Sequence, residues 1–165
     1  MKNILLGLLL LLTLHNLSAQ KKERVIKDSL NADSLLNFAK QFLGCKYKYA
    51  QSSCEKGFDC SGFVSYCFKN FKIQLPRSAT DYVSIGIDIP KDSCKPGDIL
   101  VIKGRNEKSK SAGHVAIVTE NTGKDFYFIH ASSNKTKGGV IISSFNSSKY
   151  YEKRFIKIIR VAICN

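Results

Sequence analysis

Cysteine and histidine, the residue types that carry out acyl transfer through a thiol, are both present in this chain. Cys60 lies between Asp59 and Ser61, directly before an apolar pattern typical of a helix. A thiol attacks well only as the thiolate, and a place in the first turn of a helix or beside a histidine lowers its pKa. Unpaired backbone N–H groups in that turn could also hold the negative oxygen of a transition state. Cys60 is therefore the candidate nucleophile.

Two histidines follow at positions where they could act on this thiol. His114 opens the apolar run 115–119, and His130 closes the run 126–129. With a three-residue loop at 121–123, an antiparallel hairpin would set the two imidazoles directly opposite each other on one face, about 5 Å apart at Cβ. We expect His114 to take the thiol proton and later to protonate the leaving amine, and His130 to orient His114.

A cysteine on the apolar face of a helix is more often a buried packing residue than a nucleophile. Cys67, two turns later on the same face, fits that interpretation well. Cys60 differs because it stands at the helix start and because both histidines fall at the same end of one predicted hairpin.

Two amphipathic helices are predicted before residue 76. The first has Asn31 or Asp33 as N-cap and Gly44 as its stop, and the second begins at Asp59 or Cys60. Their apolar stripes are Leu35, Leu36, Ala39, Phe42 and Leu43 for the first, and Cys60, Phe63, Val64, Cys67, Phe68 and Phe71 for the second.

After Pro76 the pattern changes to β-branched runs separated by turn residues. These runs predict strands at 99–103, 115–119, 126–129, 140–142 and 155–161. Because helices come first and strands afterwards, the predicted class is α+β, with N-terminal helices packed on an antiparallel sheet of about five or six strands.

The N-terminus reads as a secretory signal peptide at 1–19, with a positive start, an apolar run at 4–14 and small residues before a cleavage site. That run is too short for a membrane-spanning helix, which needs roughly twenty residues. We expect a flexible leader at 20–31, a single domain at 32–165, export to the periplasm or the extracellular space, and no stable membrane insertion after cleavage.

The formal net charge of +13 in 165 residues favours anionic partners, and export argues against nucleic acid. The six cysteines show no C-x-x-C spacing, so we expect neither a metal site nor a cofactor. Pairing among Cys45, Cys54, Cys67, Cys94 and Cys164 stays open.

Six ordered segments resemble the NlpC-type cysteine endopeptidases, papain-like enzymes that cleave the peptide stems of bacterial cell wall. The segments are 43–47 (LGCKY), 57–64 (GFDCSGFV), 75–79 (LPRSA), 95–99 (KPGDI), 113–118 (GHVAIV) and 128–132 (FIHAS). The resemblance implies a papain-like fold in which the Cys60 helix packs on the sheet that bears His114 and His130. It further implies hydrolysis of peptidoglycan stems or muropeptide fragments, after γ-D-glutamyl and before a diamino acid. We expect the protein to be a monomer.

By the same resemblance, four residues would line the substrate cleft: Asp59, Ser61, Arg77 and Ser78. Tyr47 would lie near the oxyanion. An arginine fork suits a substrate carboxylate because it can bind both oxygens at once. The chain departs from the family at 47–51 (YKYAQ), where relatives carry Tyr-x-Trp-Gly-Gly, so the cleft wall at this point differs.

Two alternatives stay open. An amidase or acyltransferase of the same fold could act on another amide or ester, because a triad defines the chemistry and not the substrate. A non-catalytic domain could bind envelope polymer through its basic surface, although such a domain has no need of Cys60, His114 and His130 together.

Overall fold

The computed structural model describes residues 29–136, 138–147, 149–161 and 163–164. The predicted signal peptide and residues 20–28 of the predicted leader lie outside this part. Residues 29–31 are ordered: strand β1 (Ser29–Leu30) pairs in parallel with strand β10 (Ile163–Cys164), and Asn31 caps the first helix. The described structure therefore includes the last three residues of the predicted leader.

The first helix, α1 (Ala32–Lys40), is shorter than its apolar stripe predicts. Beyond Lys40 the N–H groups of residues 41–43 bond carbonyls three residues back, and Gly44 ends the turn with a φ of +84°. Leu43 leaves the stripe and is 48% exposed, whereas Phe42 still packs edge-on against Phe58. Within the described ranges, no helix has the length and apolar character needed to cross a membrane.

The second helix, α2 (Cys60–Lys69), begins where the sequence predicts and buries its stripe from Cys60 to Phe68. A short hairpin, β2 (Ser52–Ser53) with β3 (Gly57–Phe58), leads into it. Helix α2 packs on the sheet and on α1, so the predicted arrangement of helices against a sheet is confirmed.

Six strands form one antiparallel sheet in the order β4–β9–β5–β6–β7–β8. All five predicted strands are present. The sixth strand, β4, was not predicted and has only three residues. A short helix, α3 (Lys149–Arg154), was not predicted either. The strands are β4 (Ile87–Ile89), β5 (Ile99–Lys103), β6 (Ala112–Asn121), β7 (Phe126–Ser132), β8 (Gly139–Ser144) and β9 (Phe155–Arg160).

Both faces of the sheet are covered, which explains the nearly continuous apolar character of its central strands. Because successive side chains point to opposite faces, Ile99 and Val101 of β5 join the core under the helices, while Leu100 and Ile102 join the second core. Phe126, Phe128 and Phe145 fill that second core. The central strands therefore form a platform that is buried on both faces.

The register of the β6–β7 hairpin differs from the prediction. The loop has four residues instead of three, since Asn121 pairs with Phe126, and Thr119 forms a bulge. Ile117 pairs with Ile129, so His114 and His130 are offset by two residues instead of lying directly opposite. An offset of two keeps both side chains on the same face, because the period of a strand is two.

The described pairs between β6 and β7 begin only at Ile117 and Ile129, although β6 itself begins at Ala112. The first residues of β6 therefore pair with β5 on one side and leave their other edge open toward the start of α2. The candidate functional site lies at this gap.

Candidate active site

Cys60 is the first residue of α2, and Asp59 is its N-cap. The Asp59 carboxylate accepts the Gly62 N–H at 2.7 Å. Gly62 is required here, since a Cβ at this position would collide with the carbonyl oxygen of Gln51. Cys60 is 8% exposed, and its Sγ lies 3.9 Å from the carbonyl oxygen of Gly113 on the open edge of β6.

The pKa of the Cys60 thiol is raised above its ordinary value, and not lowered as its place at the helix start predicts. Burial raises its pKa, and the negative charge of Asp59 adds to the increase. The backbone N–H groups of Val115, Ser61 and Cys60 lower the pKa because they stabilise the thiolate. At Cys67 burial alone raises the pKa. The sulfur of Cys60 is thus set among backbone donors that the sulfur of Cys67 lacks.

The structure brings the two predicted histidines together. His114 Nε2 and His130 Nδ1 are 2.9 Å apart, and the ring planes meet at 89°. His130 is 2% exposed and His114 is half-buried. Since Nε2 of His114 is engaged by His130, Nδ1 is the nitrogen of His114 that is left for another partner.

Burial keeps both imidazoles neutral. It lowers the pKa of His114 to about 4, with the charge of Asp59 as an opposing effect. Burial, and then the neighbouring His114, lower the pKa of His130 well below its usual value. A neutral imidazole can accept one proton, which a base in this site requires.

Ser143 of β8 and Tyr151 of α3 extend the histidine pair and were not predicted. His130 Nε2 lies 3.0 Å from Ser143 Oγ, and the Tyr151 hydroxyl donates to the same oxygen at 3.3 Å. The sequence carries only a weak signal for them, because the contact depends on the β7–β8 register.

A cavity of about 1150 Å³ opens over Cys60, His114 and His130. Tyr47 and Tyr49 form part of its wall in the segment where the sequence departs from the family. A disulfide between Cys45 and Cys54, with Cα atoms 5.3 Å apart, closes the loop that carries both tyrosines. The sequence had left this pairing open.

The other predicted cleft residues make contacts at the cap of α2 or on the surface. Arg77 binds both carboxylate oxygens of Asp59, at 2.9 and 2.6 Å, and donates to the hydroxyl of Ser61 at 3.2 Å. Asp59, Ser61, Arg77 and Ser78 are not among the described residues that line the cavity. The fork of Arg77 is therefore engaged by the helix cap, and Ser78 bonds to Thr80 on the surface.

A cysteine at the start of a helix lines one cavity with two histidines of an antiparallel sheet. Together with the N-terminal helices packed on that sheet, this arrangement defines a papain-like α+β domain. The profile of the NlpC/P60 family matches residues 44–160. The chain belongs to this family.

The chain covers different shares of the length of three curated relatives. The probable endopeptidase NlpC of Escherichia coli K12 is 34% identical over 96% of this chain and 97% of its own length. The gamma-DL-glutamyl hydrolase of Bacillus subtilis is 31% identical over 86% of this chain, which spans 32% of that protein. The murein DD-endopeptidase MepS of Escherichia coli K12 is 34% identical over 72% of this chain and 56% of its own length.

A crystal structure of an NlpC/P60 family protein from Bacillus cereus superimposes with a TM-score of 0.68. Sequence identity is 28%, and the match covers 81% of this chain and 41% of that one. The fold is therefore shared as well as the sequence pattern.

Proposed function

We propose that the protein is an exported cysteine endopeptidase that hydrolyses the peptide stems of peptidoglycan. Cys60 is the nucleophile, His114 the base and His130 the residue that orients His114. The observation that carries the proposal is the 2.9 Å contact between His114 Nε2 and His130 Nδ1, because it leaves Nδ1 of His114 for a thiol that opens into the same cavity.

In the first half-reaction Cys60 Sγ bonds to the scissile carbonyl carbon while His114 Nδ1 takes the thiol proton. The carbon–nitrogen bond then breaks, and His114 passes the proton to the leaving amine. In the second half-reaction water attacks the thioester and gives a proton to His114. The carbon–sulfur bond breaks, the carboxylic product leaves, and the thiol is restored.

Two donors are suited to the oxyanion of the tetrahedral intermediate. One is the backbone N–H of Cys60 at the positive end of α2. The other is the hydroxyl of Tyr47, whose pKa is raised first by burial and then by the charges of Cys60 and Asp59. A raised pKa keeps this phenol protonated and therefore able to donate.

We further propose that the scissile amide lies between a γ-D-glutamyl residue and a diamino acid. The proposal rests on the family, on the γ-glutamyl bond named for the Bacillus subtilis relative and on the murein named for MepS. Export to the periplasm or outside the cell rests on the predicted signal peptide at 1–19. The positive charge of the chain suits an anionic envelope.

Digestion of purified muropeptides, followed by mass spectrometry of the products, tests this function. We expect wild-type protein without residues 1–19 to release stem fragments, and Cys60→Ala to release none. The matched control is Cys67→Ala, which removes a buried thiol from the same helix and should leave the product pattern unchanged. Equal activity of Cys60→Ala and wild type would refute the mechanism.

Alkylation supplies a second readout that does not depend on the substrate. Burial raises the pKa of both Cys60 and Cys94, to about 11 for Cys94. Cys60, however, has backbone donors around its sulfur and opens into the cavity, whereas Cys94 is 3% exposed and does not line it. We expect iodoacetamide at neutral pH to modify Cys60 well before Cys67 or Cys94. Peptide mapping after timed quenching measures the order, and a faster Cys94 would contradict it.

A further inference from the structure

The cavity over Cys60 has an uneven charge distribution. None of the described residues that line it is acidic, while Arg105 and Lys135 both line it. The two histidines add no charge at neutral pH, because burial lowers the pKa of each. Two cationic side chains therefore line the cavity that holds the thiol, and no acidic side chain of the described lining offsets them. The Asp59 carboxylate beside Cys60 is already paired with Arg77.

Arg105 is exposed and lines this cavity from the loop between β5 and β6. It follows Gly104, which packs against Gly113, the residue whose carbonyl oxygen approaches Cys60 Sγ. Its guanidinium donates to the carbonyl oxygen of Ser133 at 3.3 Å, on the loop after β7. The charge of Arg105 also acts on the hydroxyl of Tyr47, whose pKa it lowers against the larger effect of burial.

The backbone under Arg105 is held by a buried arginine. Arg154, which is 9% exposed, donates to the carbonyl oxygens of Gly104 and Arg105, each at 3.2 Å. The same guanidinium pairs with Glu107 at 3.3 Å, so the nearest carboxylate of the loop is already engaged. Arg105 makes no ion pair among the described residues, and a guanidinium has five N–H donors.

We propose that Arg105 is a specificity-determining residue that binds a substrate carboxylate next to the scissile amide. The inference rests on the proposed function. It gives Arg105, on the β5–β6 loop, the carboxylate-binding role that the sequence had suggested for Arg77. Arg77 is bound to Asp59, whereas Arg105 opens into the cavity that holds Cys60. Its planar fork can meet both oxygens of a carboxylate but only one of a carboxamide.

Three synthetic peptides test the proposal. L-Ala-γ-D-Glu-L-Lys carries a carboxylate on either side of the scissile amide, and the other two peptides each replace one of these by a carboxamide. We would measure kcat/KM for each peptide with wild type, Arg105→Gln, Arg105→Lys and Lys108→Gln. Lys108→Gln is the matched control, since it removes one positive charge from the same loop at a residue outside the described lining.

We expect wild type to prefer one carboxylate over its amide by about tenfold or more, the factor equal to one charge-assisted hydrogen bond. The amide that is disfavoured identifies which carboxylate is bound. Arg105→Gln should lose most of the preference, because its kcat/KM should fall more on the peptide with that carboxylate than on the matching amide peptide. Arg105→Lys should keep part of the preference, and Lys108→Gln should keep all of it.

Three outcomes would overturn the proposal: no preference in wild type, an equal loss on all three peptides in Arg105→Gln, or the same change in Lys108→Gln. If wild type cleaves no peptide, the proposed function fails on its own. In that case, calorimetry on proteins that carry Cys60→Ala measures the dissociation constant of each peptide. The ratios of these constants replace the ratios of kcat/KM. Equal affinity for all three peptides there, including no binding, would refute the role of Arg105.

Discussion

The proposed role of His114 as base requires one direction of the hydrogen bonds in the site. The Tyr151 hydroxyl donates to Ser143 Oγ, so this oxygen can also accept from His130 Nε2. His130 Nδ1 is then the acceptor for His114 Nε2, and His114 Nδ1 has a lone pair for the thiol. If the hydrogen bonds ran in the opposite direction, His114 Nδ1 would carry a proton, and His114 could not act as a base.

Replacement of Ser143 should therefore reduce turnover more than binding. Ser143→Ala leaves His130 Nε2 without its acceptor in a buried place, where an unmet donor costs about 1–3 kcal/mol. We expect kcat to fall by about tenfold with little change in KM, and Ser143→Thr, which keeps the hydroxyl, to recover most of it. Steady-state kinetics on a muropeptide measures the split, and a rise in KM alone would contradict this orienting role.

The histidine pair should also make stability depend on pH. The pKa of His114 is lowered in the folded protein to about 4, from about 6.5 in an unfolded chain. The unfolded chain therefore binds the additional proton between these values, and stability is lost as the pH falls from 6.5 towards 4. The loss from His114 reaches up to about 3 kcal/mol, and His130 adds to it in the same direction.

Urea unfolding at pH 7, 5.5 and 4.5 measures this dependence. A double variant, His114→Gln with His130→Gln, keeps every carboxylate. The difference in pH dependence between this variant and wild type therefore isolates the contribution of the two imidazoles. We expect the double variant to lose less stability than wild type on acidification. Parallel curves for the two proteins would show that the histidines do not contribute.

At the scale of elements, the disulfide loop fixes one wall of the cavity. Cys45 is bound to the start of β8, since its carbonyl oxygen accepts the Val140 N–H at 2.8 Å, and Cys54 lies between β2 and β3. The loop between them carries Tyr47 and Tyr49. The disulfide thus joins the wall of the cavity to the sheet on one side and to the approach to α2 on the other.

Opening this disulfide should destabilise the fold. By the chain-entropy relation, closure of a loop of about ten residues stabilises a protein by about 2–3 kcal/mol. We expect Cys45→Ala with Cys54→Ala to lower the free energy of unfolding by that amount. Denaturant titration measures it, with Cys94→Ala as a control whose thiol is in no disulfide. An unchanged midpoint in the double variant would contradict the expectation.

For the whole molecule, Asp98 connects three strands of the sheet. It is fully buried directly before β5, and its carboxylate accepts from Arg160 of β9 at 2.7 and 2.8 Å. Its backbone carbonyl oxygen accepts the Val118 N–H of β6 at 2.8 Å. The turn at 95–98 therefore holds the centre of the platform on which the histidines stand.

Asp98→Ala should consequently weaken the whole fold. Loss of one partner of a buried ion pair costs about 3–5 kcal/mol, because the other charge stays behind. The matched control is Asp88→Ala, which breaks the pair with Lys157 on the surface, where Asp88 is 68% exposed, and should cost about 1 kcal/mol or less. Thermal unfolding of both variants measures the difference, and equal melting temperatures would refute it.

The local elements could be read from the sequence because their causes are local. The apolar period of 3.6 residues and the cap at Asp59 define α2, and the β-branched runs define five of the six strands. Cys60 at the head of a helix, and a histidine on each strand of one hairpin, needed no tertiary information. Strand β4 was missed because three residues are too few to show a period.

The tertiary structure decided how these pieces meet. A four-residue turn alone would have set His114 and His130 on opposite faces, and the bulge at Thr119 shifts the register by one and restores the common face. Several features of the site bring together residues of separate elements: Ser143 contacts His130, Arg77 binds Asp59, and Arg105 lines the cavity that holds Cys60. The period of side chains along one helix or strand predicts which face a residue occupies. Its partners on other elements depend on register and packing, which no local pattern encodes.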